Sequence, residues 1–254
     1  MIEFEKLREK NIEETKNKLR ESVSKETILI QTKEAIDELK KTANVLASRL
    51  REWYAYYNPE FEKSLKDNEK FAELCAEEKP SKNSLGGKFE KEDIERINTL
   101  AAQLNKQHNL IKELEKYLEE LIKKICPNMN ELTGAQIGSE LIILARSLKK
   151  LSEMPASTIQ LLGAEEALFR HLKTKSKSPK YGILFMHSLV QKAKERGKAA
   201  RILADKIAIA VKIDKFNGKF IGDKLRKEVE DKIAKLGIRD LGVRHKELGV
   251  GVAK

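Results

Sequence analysis

Two heptad stripes, separated by a stretch that cannot be helical throughout, constrain this chain more than any other feature. The first runs Ile36, Leu39, Ala43, Leu46, Leu50, Trp53 and Tyr57, in alternating steps of three and four residues. That spacing puts each of these side chains on one seam of an α-helix and matches the a/d pattern of a coiled coil. The second runs Ile94, Ile97, Ala101, Leu104, His108, Ile111, Leu118, Ile122 and Ile125, with Glu115 interrupting one turn and Leu114 beside it. Residues 58–90 lie between and contain Asn58-Pro59, Lys79-Pro80 and Gly86-Gly87. Proline inside a helix loses a backbone bond and clashes with the preceding turn, so neither helix crosses this stretch. The simplest arrangement is two long helices, each about 45 Å at about 1.5 Å per residue, folded back as an antiparallel hairpin with an irregular tip. Ile36, Leu39, Leu46, Leu50, Trp53, Ile97, Leu104 and Ile111 are expected to form its core or a dimer contact. Such a hairpin serves as a spacer, a dimerisation arm or both; the bland alternative is an ordinary helical bundle. His108 on the stripe reads as a hydrogen-bonded core residue.

Charge divides the 254 residues unequally. Residues 1–130 carry 25 basic and 26 acidic side chains, whereas 131–254 carry 26 and 14, so the net +11 resides in the second half. A basic domain beside a neutral one fits a polyanion-binding module on a scaffold. The alternative is lysine that only keeps the protein soluble. Charged residues make up 36% and aromatics 6%, a balance suited to solvated helices and against a β-sandwich or barrel.

The second half reads as a compact helical domain. Residues 134–151 are amphipathic, with Ile137, Leu141, Leu144, Ala145 and Leu148 on one stripe. A short helix is expected to open at Pro155 and to break at Gly163. Glu165 and Glu166 precede the run ALFRHL, a favourable place for carboxylates at a helix start. A polar loop follows, with Lys173, Lys175, Lys177 and Lys180. The strongest helix, from Gly197 onward, is expected to bury Ala199, Ile202, Leu203, Ile209 and Ala210. No segment reads as a strand, so the fold class is all-α: a long antiparallel coiled-coil hairpin joined to a compact basic helical domain. The expected divisions are a connecting helix over 1–26, the hairpin over 27–126, the basic domain over 127–240 and a flexible tail over 241–254.

Catalytic signatures are missing. Gly86-Gly87-Lys88 lacks the upstream glycine and the following Ser/Thr of a phosphate loop, and there is no H-E-x-x-H. Cys75 and Cys126 have no metal-type spacing. The expectation is a protein that is not an enzyme and carries no metal or cofactor. The start MIEFEKLREKN lacks an apolar core for a signal peptide, and no apolar run of about 18 residues predicts a membrane span. An intracellular protein is expected.

Gly163-Ala164-Glu165, Ala167-Leu168-Phe169-Arg170, Pro179-Lys180-Tyr181-Gly182 and the helix GKAARILADKIAIAVKIDKF together resemble the Nop domain family, in its archaeal box C/D ribonucleoprotein branch. The resemblance covers nearly the whole chain. It implies a non-catalytic scaffold of a particle that guides RNA 2′-O-methylation. Its partners would be a box C/D guide RNA with a kink-turn and the small kink-turn-binding protein that occupies that turn first. It also implies a homodimer through the coiled coil. Fibrillarin, the methyltransferase, would join only where a preceding N-terminal domain is present; this sequence starts almost at the coiled coil, as a fragment would. The cell compartment would be archaeal cytoplasm, or the nucleolus in a eukaryote. A spliceosomal-type Nop protein, or a coiled-coil adaptor for an acidic partner, are the alternatives.

By the same resemblance His187 stacks on a flipped nucleotide, and Lys194, Arg196, Lys198 and Arg201 lie along RNA phosphates. Gly163, Ala164 and Glu165 approach RNA closely, and Lys173 and Lys180 belong to a basic loop beside it. Arg170 is either an RNA ligand or an internal ion-pair partner. Glu166 departs from a family lysine and removes a positive charge there.

Overall fold

The computed structural model describes residues 2–75 and 77–237. They form twelve α-helices and one 3₁₀ turn, with no strand among the described residues. The chain divides into two compact units, Met1–Ile125 and Cys126–Lys254. The tail expected over 241–254 lies outside the described residues. No described helix is long and apolar enough to cross a membrane.

In the first unit α1 (Ile2–Ser22) precedes α2 (Lys25–Tyr57), whose N-terminus is capped by the Ser24 hydroxyl accepting from the Thr27 N–H. α2 packs along α5 (Lys91–Ile125) as the hairpin. The second stripe largely follows expectation, with Ile97, Ala101, Leu104, Ile111, Leu118 and Ile122 buried and Ile94, His108 and Ile125 half-buried. The first does not. Ile36, Ala43 and Leu50 are buried, but the intervening positions are Ala47 and Tyr54 rather than Leu46 and Trp53. Leu39 and Leu46 are half-buried, and Trp53 is 40% exposed. The seam thus shifts by one residue at alternate positions, where small Ala47 admits close approach. Lys40 occupies one of these positions and donates to Glu115 at 2.6 Å, so the interruption in the second stripe is answered by a cation across the seam. His108 differs from expectation too: its Nε2 is buried without a partner.

The hairpin tip is more ordered than an irregular loop. Asn58 ends α2 and caps α3 (Pro59–Ser64), with Pro59 at the first helical position. α4 (Asn68–Leu74), capped by Asp67, packs on α5. Tyr54, Phe61 and Phe71 form an aromatic cluster, with the Arg51 guanidinium 4.4 Å from the Phe71 ring centre. Gly86 lies so close to the Tyr57 carbonyl that a Cβ would sit 2.0 Å from its oxygen.

The second unit is built around α11 (Arg196–Lys215). Its neighbours are α6 (Pro127–Ala145), α7 (Leu148–Glu153), α8 (Ala156–Leu161), the 3₁₀ turn Ile183–Met186, α10 (Ser188–Lys192) and α12 (Gly222–Ala234). α11 can be surrounded because its buried positions include four alanines, Ala199, Ala200, Ala204 and Ala210, beside Leu203, Ile207 and Val211. Ile202 is half-buried and Ile209 exposed, against expectation. Gly134 (φ 72°) breaks α6 in two, a conformation that costs glycine little. The expected amphipathic helix over 134–151 is also interrupted at Arg146, which ends α6 in the left-handed conformation.

Candidate nucleic-acid interface

Two segments on either side of the 3₁₀ turn and α10 converge on one groove. The first is the loop Pro179–Gly182, the second the start of α11. Gln160 on α8 joins them: its side-chain amide donates to the Lys180 carbonyl at 2.6 Å and to the Gly197 carbonyl of α11 at 3.4 Å, and its main-chain carbonyl accepts from the Gly182 N–H at 2.9 Å. Gly182 fits only without a side chain, because a Cβ would lie 1.8 Å from the Leu162 oxygen. The Lys180 side chain then lies over Gly197.

The groove is about 570 Å³ and is lined by Lys180, Lys194, Arg196, Lys198 and Arg201, with Gln160, Tyr181 and Glu195. Five cations against one carboxylate make it strongly attractive to anions. Glu195 precedes α11 without a side-chain cap, so the first-turn N–H groups of a 20-residue helix add positive potential at the same end. Lys198 pairs with Glu195 at 2.8 Å, but both are exposed, so this pair is weak and exchangeable. The Arg196 guanidinium sits 5.2 Å from the Phe185 ring centre, and its Nε is buried without a partner.

The structure therefore brings together five of the expected RNA-binding residues. It places the others elsewhere. Gly163 takes φ 82°, and its N–H donates to the Glu165 carboxylate at 2.8 Å, so Glu165 is occupied in shaping the turn into α9 (Glu165–Thr174). Arg170 and Lys173 are exposed on α9, and Arg170 makes no ion pair among the described residues. No residue of α9 is buried; Phe169 and Leu172 are 64% and 69% exposed. Lys175 closes α9 in the left-handed conformation, and the His171 ring hydrogen-bonds the Ser176 carbonyl.

His187 does not line the groove. It borders a separate cavity of about 270 Å³ with residues 130–134, Arg226 and Glu230. Its Nδ1 accepts from the Leu189 N–H at 3.3 Å, capping α10. Burial pushes its pKa below the usual histidine value. The ring expected to stack on a nucleotide thus lies outside the groove and caps α10.

Sequence reasoning missed Gln160 and Asp214. The Asp214 carboxylate accepts from the Asn128 N–H and side-chain amide at 3.1 and 2.7 Å and from the Met129 N–H at 2.8 Å. It thereby serves as the N-terminal cap of α6, and the partners lie more than 80 residues away, out of reach of any local signal.

Residues 35–235 match the family model Nop, described as a snoRNA binding domain, fibrillarin. The chain belongs to the Nop family. A NOP5 family protein of Methanocaldococcus jannaschii is 40% identical over 237 residues, 82% of this chain and 57% of that protein. Nucleolar protein 56 of Schizosaccharomyces pombe is 35% identical over 263 residues, 90% of this chain and 52% of the relative. The chain thus spans about half the length of these Nop relatives. In fold it resembles a chain in the crystal structure of a fibrillarin/Nop5p complex, at a TM-score of 0.58 and 24% identity, covering 92% of this chain and 78% of that one. The Nop family model describes a binding domain rather than an enzyme.

Proposed function

We propose that this chain is a non-catalytic scaffold segment of an archaeal box C/D ribonucleoprotein, and that it binds a kink-turn guide RNA together with its kink-turn-binding protein. The observation that carries this reading is the groove of Lys180, Lys194, Arg196, Lys198 and Arg201, held in shape by Gln160. Phosphodiesters of RNA are its natural occupants, because lysine and arginine there neutralise phosphates and release counterions. α9 supports the protein half of the composite. Phe169 and Leu172 offer an apolar surface that RNA phosphates would not fill.

The hairpin supports self-association. Leu110 and Tyr117 are exposed on the side of α5 away from α4, which holds the Asn105 and Lys112 side through Ala72 and Glu69. With Trp53 on α2 they leave apolar surface for a second copy. Methyl transfer belongs in this reading to fibrillarin, bound through the N-terminal domain that family members carry.

Titration of a kink-turn RNA, with and without the kink-turn-binding protein, tests the proposal. Tight binding only in the protein's presence is expected. Lys194→Ala with Arg201→Ala should weaken it and reduce the slope of log affinity against log salt by about 0.7 per lost phosphate contact, the single-strand figure. Equal binding to any RNA, or an unchanged slope, would overturn it.

A further inference from the structure

One wall of the groove is not cationic. Tyr181 stacks on Phe185, with ring centres 5.0 Å apart and planes 13° from parallel. Phe185 in turn meets the Arg196 guanidinium. The Tyr181 hydroxyl makes no hydrogen bond to the protein among the described residues, although the side chain lines the groove. The backbone on both sides of Tyr181 is clamped to Gln160, through the Lys180 carbonyl and the Gly182 N–H. The ring is therefore fixed before any ligand arrives, with one face backed by Phe185.

We infer that Tyr181 is a base-stacking platform: an unpaired base of the bound RNA lies on its groove-facing side while Lys194 and Arg201 hold the adjoining phosphates. This rests on the RNA-binding reading above. A groove for phosphates alone needs only cations, and an aromatic wall adds nothing to their attraction. A flat, preorganised ring beside them suits a strand whose bases are splayed out, since stacking works for any base and costs little when the platform is already ordered. The site also differs from the cavity at His187, so the two rings are separable by mutation.

The probe is a kink-turn RNA with its kink-turn-binding protein, prepared as a set with 4-thiouridine at each unpaired position in turn. Long-wavelength crosslinking followed by peptide mapping should place one adduct on Tyr181. Tyr181→Leu should weaken the complex roughly 5- to 150-fold, the range of one base stack, with the salt slope unchanged. Tyr181→Phe should bind within about twofold of the unaltered protein. An abasic residue at the crosslinked position should remove the difference between Tyr181→Leu and the unaltered protein. No adduct on Tyr181, or an unaltered affinity in Tyr181→Leu, would overturn the inference. Should Tyr181→Leu fail to fold by circular dichroism, the crosslink and the abasic RNA with the unaltered protein decide it. Loss of RNA binding by the unaltered protein would instead overturn the parent reading, and insensitivity to Lys194→Ala with Arg201→Ala would do the same.

Discussion

Asp214 carries more structure than one side chain at the end of a helix suggests. It satisfies two backbone N–H groups and one amide of α6 from within the core. Removing it leaves buried donors unpaired, at about 1–3 kcal/mol for each such group before relaxation. Asp214→Ala should therefore lower the stability of the second unit by about 2–4 kcal/mol in urea denaturation. Burial holds the Asp214 pKa above the ordinary aspartate value, outweighing the hydrogen bonds that lower it. With the folded pKa above the unfolded one, its pH-linked stability is whole below the unfolded value and declines as pH rises through the folded value. Asp214→Asn removes this titration. Its stability should gain on that of the unaltered protein as pH is raised from 4 toward 7, and a constant gap between the two curves would contradict the linkage. Nothing near Asp214 in sequence announces this role, nor that of Gln160, because both are set by chain segments that meet only on folding.

At the scale of helices, the hairpin was half legible. Ile36, Ala43 and Leu50 follow the heptad and are buried. Leu39, Leu46 and Trp53 also follow it, yet they flank the seam, because hydrophobicity alone does not distinguish a seam from a second apolar surface. The true positions include Ala47 and Lys40, one chosen by size and one by an ion pair across the seam. The difference is measurable. Leu50→Ala should cost about 2–5 kcal/mol, the usual effect of truncating a fully buried leucine. Trp53→Ala, at a side chain 40% exposed, should lower the hairpin's melting temperature less than Leu50→Ala does but weaken self-association in sedimentation equilibrium. Similar destabilisation by both would return Trp53 to the core. The ALFR helix was legible for a different reason: its charged start and apolar run give it a helical signal of its own, without help from tertiary contacts.

Across the whole molecule, the sequence's charge division foreshadowed the site, since the groove's five cations all lie in the basic half. α9 complements them with the opposite chemistry. Replacing Phe169 and Leu172 by serine should abolish the enhancement of RNA binding by the kink-turn-binding protein, while the weak binding of free RNA stays as it was. Because neither side chain is buried, the folded state should change by no more than about 0.5 kcal/mol per substitution. Phe169 and Leu172 are nearly invisible to an assay of folding, unlike the half-buried Ala167 and Leu168 on the same helix. Selection for expression, heat tolerance or protease resistance would pass changes at these two exposed positions, so they answer to whatever binds α9 rather than to the fold that displays it.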